Sequence, residues 1–350
     1  MPYSLKIEPI LEDELSQIEP PLMRVVVADL VGPRRDINKI FTLTKDFVLP
    51  VEGIKHLRRV RDTEDGRIEC ILAGLESANG DDAVSTSGDD QDFISRIEDS
   101  LERNGVILKD YRIVQVPARP ARTDAQLEAC SRIWPTKFAK SEHLIKFIQG
   151  SIIDDSERLV IQSITNGLLD YFTNANCKST SGAVIFRYAK VYGLGLSCSA
   201  TTRANPTKHS PMIAIDSVAR NAGAGHWPAE THSIGHDLLG ELQKLLDDKP
   251  ELADHKMDAN FLPYICTNYD IIITEEPCMM CTMGLIQSRI RRLFYLDTKQ
   301  VANAEDVKFA SSCRPVCYPD KAIEEFFIHR DKSINHRFEA WRIKLLTTTS

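Results

Sequence analysis

The chain has 350 residues, of which 43% are hydrophobic, and its formal net charge is −7. This length suffices for two domains of ordinary size, each with its own core. Its longest apolar runs fall well short of the roughly 18 residues that a membrane-spanning helix needs. Residues 1–13 mix acidic with apolar side chains, unlike a secretion signal. We therefore expect neither a membrane segment nor secretion.

The cysteines and the distribution of charge indicate the cellular compartment and the partners to be expected. The nine cysteines are scattered, which favours reduced thiols or metal ligands, and hence the nucleus and cytoplasm, over a disulfide framework. Residues 76–102 hold nine acids and one base, so the remainder is nearly neutral and an RNA partner is not excluded. A solvated face is the simplest explanation of any one basic cluster. The candidate RNA-binding residues are Arg58, Arg59, Arg61, Arg289, Arg291 and Arg292.

The first third of the chain has the pattern of an α+β module. Apolar periodicity and the Asp65-Gly66 turn predict a strand, a helix, a hairpin of two strands, a helix and a strand. These elements are expected at residues 23–30, 35–47, 56–61, 67–75, 92–104 and 111–116. The order is that of a ferredoxin-like module, which we assign to residues 1–122. Prolines at 117, 120 and 135 predict a linker over residues 123–140.

Residues 141–350 predict a second domain in which strands alternate with helices. Helices are expected at residues 141–174, 212–220 and 278–288, and strands at 183–188, 192–199, 264–274 and 293–296. An insertion at 221–261 contains a short predicted helix at 237–246. This alternation indicates an α/β fold with three layers, α/β/α.

The run Pro277-Cys278-Met279-Met280-Cys281 is the strongest chemical signal in the sequence. Cysteines three apart lie on one helix face, so their sulfurs can converge on one ion. A helix start also lowers thiol pKa and favours the thiolate that zinc binds. By itself, a CxxC pair fits a redox site or chance equally well.

His209 is the candidate third ligand, because it stands directly before another apolar helical stretch. One histidine and two cysteines leave a fourth zinc position open, as in sites that hold water. Cys313 and Cys317 could supply a fourth ligand, although unpaired thiols explain them as well. Zinc nucleobase deaminases carry the signature H-x-E…P-C-x-x-C, in which the glutamate transfers protons. Pro211 occupies the position of that glutamate, and a pyrrolidine ring cannot transfer a proton.

With these residues in view, the chain resembles the non-catalytic subunit of the eukaryotic tRNA wobble-adenosine deaminase, a cytidine-deaminase-like protein. In that family the catalytic glutamate is replaced, commonly by valine, so Pro211 departs from the usual residue and equally removes the carboxylate. The similar stretches are Asn205-Pro206, MIAIDSVAR (212–220), LPYICTNYD (262–270), EPCMMCTMGLIQSRIRRLFY (276–295) and INHRF (334–338).

The resemblance implies a heterodimer with an active deaminase subunit that converts adenosine to inosine at the wobble position of tRNA anticodons. It implies that His209, Cys278 and Cys281 hold a structural zinc ion, and that the N-terminal module helps to hold tRNA. This chain would then have no catalytic residue of its own. Two alternatives stay open: an active nucleoside or nucleotide deaminase that uses Glu275 or Glu276, and a zinc-stabilised interaction protein without an RNA role.

Overall fold

The computed structural model describes residues 3–45, 51–75, 88–173, 179–233, 235–255, 265–297, 323 and 326–346. The chain divides into a smaller unit, Leu11–Ile145, and a larger unit made of Met1–Ile10 and Lys146–Ser350. In the described residues, no helix is both long and apolar enough to cross a bilayer.

The first strand, β1 (Ser4–Pro9), belongs to the larger unit, although residues 1–122 were predicted to form one module. It pairs antiparallel with the last strand of the chain, from Ser4 opposite Leu346 to Pro9 opposite Trp341. The polypeptide therefore starts in one unit, forms the other, and then returns. A short edge strand of this kind depends on its distant partner for its hydrogen bonds.

The smaller unit is built around an antiparallel sheet of four strands. Its elements are α1 (Asp13–Ser16), β2 (Leu22–Leu30), α2 (Ile37–Leu43), β3 (Val60–Asp62), β4 (Ile68–Gly74), α3 (Gly88–Arg103), β5 (Leu108–Pro117) and α4 (Asp124–Ile133). The strand order β3-β4-β2-β5 confirms the predicted ferredoxin-like arrangement.

Both faces of this sheet are covered, which explains why β2 is a continuous apolar run. Val26 and Ala28 pack with Ile97 of α3 on one face, while Val25 and Val27 pack on the other face. The second core includes Trp134, which is 1% exposed and follows directly on α4. Successive side chains of a strand point to opposite faces, so both sets must be apolar here.

The predicted linker at 123–140 is wrong, because α4 fills most of it. Thr123 caps this helix: its hydroxyl accepts a hydrogen bond from the backbone N–H of Gln126 at 3.2 Å. The amide of Gln126 donates in turn to the carbonyls of Glu14 and Gln17. The helix is thus fastened to the start of the smaller unit instead of bridging two domains.

The larger unit has three layers, as predicted. Its remaining elements are α5 (Glu142–Ile148, which begins just before the boundary), α6 (Asp155–Thr173), β6 (Ser181–Arg187), β7 (Lys190–Ser197), α7 (Ser199–Ala204), α8 (Ser210–Asn221), α9 (Ala229–Ser233), α10 (His236–Asp247), β8 (Asp270–Ile273), α11 (Met279–Gln287), β9 (Arg292–Leu296) and β10 (Glu339–Leu346). The single helix predicted over 141–174 is two helices, separated at Gly150, whose φ of +69° ends α5.

The six-stranded sheet has the order β1-β10-β9-β8-β6-β7. Neighbouring strands β8, β9 and β10 run parallel, while β6 is antiparallel to both β7 and β8. Helices α8 and α11 cover one face, on a core that includes Ala183 and Ile271. Helices α6 and α10 pack together on the other face. The turns that start α8 and α11 lie at the same end of the sheet.

Candidate metal centre

His209 occupies the residue that caps the N-terminus of α8. Its backbone is extended (φ −78°, ψ 152°), and its carbonyl accepts the first helical hydrogen bond from Ile213 at 3.0 Å. Ser210 and Pro211 are the first two helical residues and both are buried. Proline fits this position because the first N–H groups of a helix have no intrahelical partner. The proline therefore leaves the presentation of His209 intact.

Two glycines of β7 allow α8 to lie unusually close to the sheet. A Cβ atom on Gly195 would stand 2.0 Å from the carbonyl oxygen of Ser210, and one on Gly193 would stand 2.7 Å from that of Ala214. The hydroxyl of Ser210 also forms a 2.6 Å hydrogen bond with that of Ser181 on β6. These contacts fix the first turn of α8, and His209 with it, on the sheet.

The two cysteines lie at the start of α11. Cys278 caps the helix, and Cys281 follows in its first turn. The carbonyl of Cys278 accepts hydrogen bonds from both the N–H (2.9 Å) and the hydroxyl (3.0 Å) of Thr282. Cys281 is completely buried and Cys278 is 5% exposed. The sequence prediction of one shared helix face is thus met.

The three predicted ligands converge. The Nδ1 atom of His209 lies 3.5 Å from the Sγ atom of Cys278 and 3.4 Å from that of Cys281. In a tetrahedral zinc site, bonds of about 2.0–2.1 Å to nitrogen and about 2.3 Å to sulfur place those two atoms roughly 3.5 Å apart. The observed spacing therefore fits a zinc ion held by all three side chains. Among the residues that the structure describes, this is the one cluster of three or more potential metal ligands, and it contains no carboxylate.

The surroundings of the group are apolar. Met212 of α8 and Met280 of α11 pack against the two cysteines, and Pro211 stands where the deaminase signature has its glutamate. Glu276, one of two acids considered for an active enzyme, accepts a hydrogen bond from the N–H of Ile323 at 3.3 Å. The candidates for a fourth ligand, the cysteines at 313 and 317, lie outside the described residues.

The candidate RNA-binding arginines of the smaller unit divide into two kinds. Arg58 is exposed. Arg59 donates to the carbonyl of Ile71 at 3.1 Å and lies over the ring of Phe41, and its burial lowers the pKa of its guanidinium. Arg61 pairs with Glu69 and stacks on a buried tryptophan. The last two arginines are thus occupied in holding the module together.

The arginines after α11 divide in the same way. Arg289 is exposed, at a positive φ of +60°. Arg291 and Arg292 both bind the carboxylate of Asp270, at 2.6 Å and 2.7 Å, and Arg292 also binds Glu157 at 2.6 Å. Burial acts to lower the pKa of Arg292, but the two carboxylates outweigh it and raise that pKa. Four of the six predicted RNA contacts therefore have internal partners.

The sequence prediction missed the two glycines that bring α8 close to β7. The signal was present, because Gly193 and Gly195 alternate within a strand. Glycine inside a strand often marks close approach of another backbone.

The amino-acid sequence is similar to those of known zinc-binding deaminases and their relatives. The family model for the cytidine and deoxycytidylate deaminase zinc-binding region matches residues 164–297, which include the three ligands. The tRNA-specific adenosine deaminase subunit TAD3 of Saccharomyces cerevisiae is 51% identical over 304 residues, covering 83% of this chain and 81% of that protein.

Animal relatives are more distant. The mouse protein named probable inactive tRNA-specific adenosine deaminase-like protein 3 is 30% identical over 236 residues, which cover 66% of this chain and 60% of the mouse protein. The human protein of the same name is 29% identical over 307 residues, with 84% of this chain and 77% of that protein covered. The chain thus matches less than two thirds of the mouse relative's length.

Proposed function

Because this chain belongs to the family of the TAD3 subunit of tRNA-specific adenosine deaminase, we propose that it is the non-catalytic subunit of such an enzyme. The observation that carries the proposal is Pro211, which is buried in the first turn of α8, two residues after His209. An intact helix start beside three converging ligands preserves the architecture of a deaminase site. The residue that would move protons is missing.

His209, Cys278 and Cys281 would hold zinc in this site. A bound zinc ion would supply Lewis-acid chemistry there. Without a carboxylate at position 211, nothing from that position takes or delivers a proton. The ligands then serve stability, because they join the start of α8 to the start of α11 across the end of the sheet.

Loss of one ligand should affect the metal and the fold together. We expect Cys281→Ser to lower bound zinc from about one ion per chain to a small fraction and to lower the melting temperature. Cys266→Ser is the matched control, because Cys266 is also buried but lies outside the ligand group. Metal analysis and thermal unfolding measure both effects. Full zinc content in Cys281→Ser would contradict the ligand assignment.

The smaller unit would contribute to holding tRNA. Phosphate contacts supply most of the affinity for structured RNA, so exposed arginines are the groups to test. Arg58 is exposed on this unit, and its side chain makes no ion pair among the described residues. We expect Arg58→Glu to weaken tRNA binding by the assembled enzyme several-fold, because a phosphate contact becomes a repulsion.

Arg103→Glu is the matched control for this test, because Arg103 is 78% exposed but lies on the acidic helix α3 beside Asp99. Gel-shift titrations with full-length tRNA at one fixed salt concentration compare the variants. Equal affinities for both variants and the unmodified protein would argue against an RNA role for Arg58.

Assembly and activity test the proposal as a whole. We expect the chain to co-purify from its native source, nucleus or cytoplasm, with a deaminase that retains H-x-E. The chain alone should form no inosine in tRNA, whereas adding that partner should. Inosine formation by the chain alone would instead support an active enzyme that uses Glu275 or Glu276. Assembly without any tRNA binding would support a zinc-stabilised interaction protein.

A further inference from the structure

A short loop beside the metal centre is fastened to α8 by a buried carboxylate. We define the tryptophan loop as residues 226–232, which include the first four residues of the short helix α9. Asp216, 8% exposed, accepts hydrogen bonds from the N–H groups of His226 (2.5 Å) and Trp227 (3.4 Å) and from the Nε2 atom of His232 (2.8 Å). One side chain of α8 thus holds both ends of the loop.

A second side chain of α8 fixes the same loop. Arg220 donates from Nη1 to the carbonyl oxygen of Trp227 at 2.6 Å. The chain passes Arg220 so closely that a Cβ atom on Gly225 would stand 2.3 Å from its Cγ atom. Gly225 also has a φ of +101°, which side-chain-bearing residues rarely adopt. The backbone of Trp227 is therefore held on both its N–H and its carbonyl.

The loop places an aromatic ring next to a lysine that precedes the metal ligand. The ammonium group of Lys208 lies 5.9 Å from the centre of the Trp227 ring and donates to the hydroxyl of Thr231 at 3.0 Å. Lys208 is directly followed by His209. The exposed ring of His226 stands 6.4 Å from the indole, edge to face. Exposed Arg203, on α7, adds a further cation on the segment that leads to Lys208.

Trp227 differs from the other two tryptophans of the chain. Trp134 and Trp341 are core residues, 1% and 0% exposed, whereas Trp227 is half-buried. A tryptophan indole is amphipathic, and such rings are favoured at binding surfaces.

We propose that the tryptophan loop, with Lys208, binds an unpaired nucleotide of the RNA substrate: Trp227 stacks on its base and Lys208 contacts its phosphate. The proposal rests on the proposed tRNA-binding function and adds a site on the larger unit. Aromatic stacking beside basic side chains is how proteins hold single-stranded RNA. A base has a flat π-face for the indole, and its phosphate suits an ammonium group.

Fluorescence provides a direct test in the complex with the catalytic subunit. The difference in emission between the complex and its Trp227→Phe variant isolates Trp227 from every other tryptophan. Adding the tRNA substrate should quench this difference signal. In parallel, Trp227→Ala should weaken tRNA binding about 5- to 150-fold, the range expected for loss of one stacked base. Lys208→Glu should also weaken it, because a phosphate contact becomes a repulsion. Trp227→Phe should retain most of the affinity, because phenylalanine still stacks.

Tyr188→Ala is the control, since Tyr188 is 42% exposed in the turn between β6 and β7. We expect it to leave tRNA affinity unchanged. If Trp227→Ala and Lys208→Glu bind tRNA as the unmodified complex does, the inferred site is refuted while the proposed function stands. If the unmodified complex binds no tRNA, both fail. If the variants lose the catalytic subunit instead of tRNA, the loop is a protein interface and the inference is wrong.

Discussion

The carboxylate of Asp270 is the centre of a buried charge network at the start of β8. It is 1% exposed and binds Arg291 and Arg292, of which Arg292 is only 6% exposed. Glu157 of α6 supplies the second carboxylate to Arg292. The network therefore links α6 to two neighbouring strands. Its disruption should weaken the larger unit, irrespective of any ligand.

We predict that Asp270→Asn lowers the free energy of unfolding of the larger unit by about 3 kcal/mol. Removing one partner of a buried ion pair costs about 3–5 kcal/mol, because a charge stays buried without compensation. The lower end applies here because Glu157 remains to neutralise Arg292. Asparagine preserves the volume of the side chain, so the change isolates the charge.

Glu8→Gln is a matched control in the same sheet. Glu8 also binds two cations, Lys6 and Lys344, both at 2.7 Å, but its side chain is 27% exposed. The hydrogen bond from Lys344, followed by that from Lys6, holds the pKa of Glu8 below its usual value. Solvent screening should limit the cost of this change to about 1 kcal/mol or less at neutral pH.

Urea unfolding followed by the fluorescence of Trp341 measures both changes. Trp341 is fully buried in the larger unit, and a Trp134→Phe, Trp227→Phe background leaves it as the one tryptophan of the chain. The predicted order is a large loss for Asp270→Asn and a small loss for Glu8→Gln. Equal losses would refute the view that burial makes the Asp270 network structural, and would return Arg291 and Arg292 to the candidate RNA contacts.

Two further predictions concern pH and packing. Burial lowers the pKa of His56 and outweighs the opposite effect of its 2.8 Å hydrogen bond to the Pro117 carbonyl. The stability that neutral His56 contributes is therefore complete above about pH 6.5 and is lost as the pH falls through the lowered pKa. His56→Gln should reduce the loss of unfolding free energy between pH 7.5 and pH 5.5, as measured by urea unfolding. An unchanged loss would show that His56 is not its source. Gly195→Ala should cost about 1–3 kcal/mol or more, because its Cβ would meet the Ser210 carbonyl. Gly240→Ala, which has open space around it in α10, should stabilise the protein by about 0.5–1 kcal/mol. Equal effects of the two glycine substitutions in thermal unfolding would contradict the close approach of α8 to β7.

The metal centre was predictable because its signals are local. Each ligand stands at a helix start that the sequence marks, His209 by the apolar run after it and the cysteines by Pro277 and their spacing of three. The strands β7 and β8 run in the same direction, because both are antiparallel to β6. The helices that follow them therefore begin at the same edge of the sheet, and the ligands meet there. The partners of the basic clusters were not predictable, because Asp270 and Glu157 reach Arg292 only after folding.

The boundaries of the two units were also only partly predictable from the sequence. The strand β1 has its partner β10 at the other end of the chain, and no local pattern reveals such a pairing. The helix α4 did have a local signal: Thr123 followed by Gln126 resembles a capping box. The surrounding prolines suggested a linker, whereas they border a helix that folds with the smaller unit.

The most direct test of a non-catalytic role is the activity of a complex whose catalytic partner has lost its own glutamate. In that complex, the unmodified chain would contribute the one remaining deaminase-like site, with Pro211 in place. Inosine in tRNA, measured after digestion to nucleosides, is expected to be absent, while the complex with the intact partner forms it. Inosine formed by the complex with the disabled partner would contradict the account.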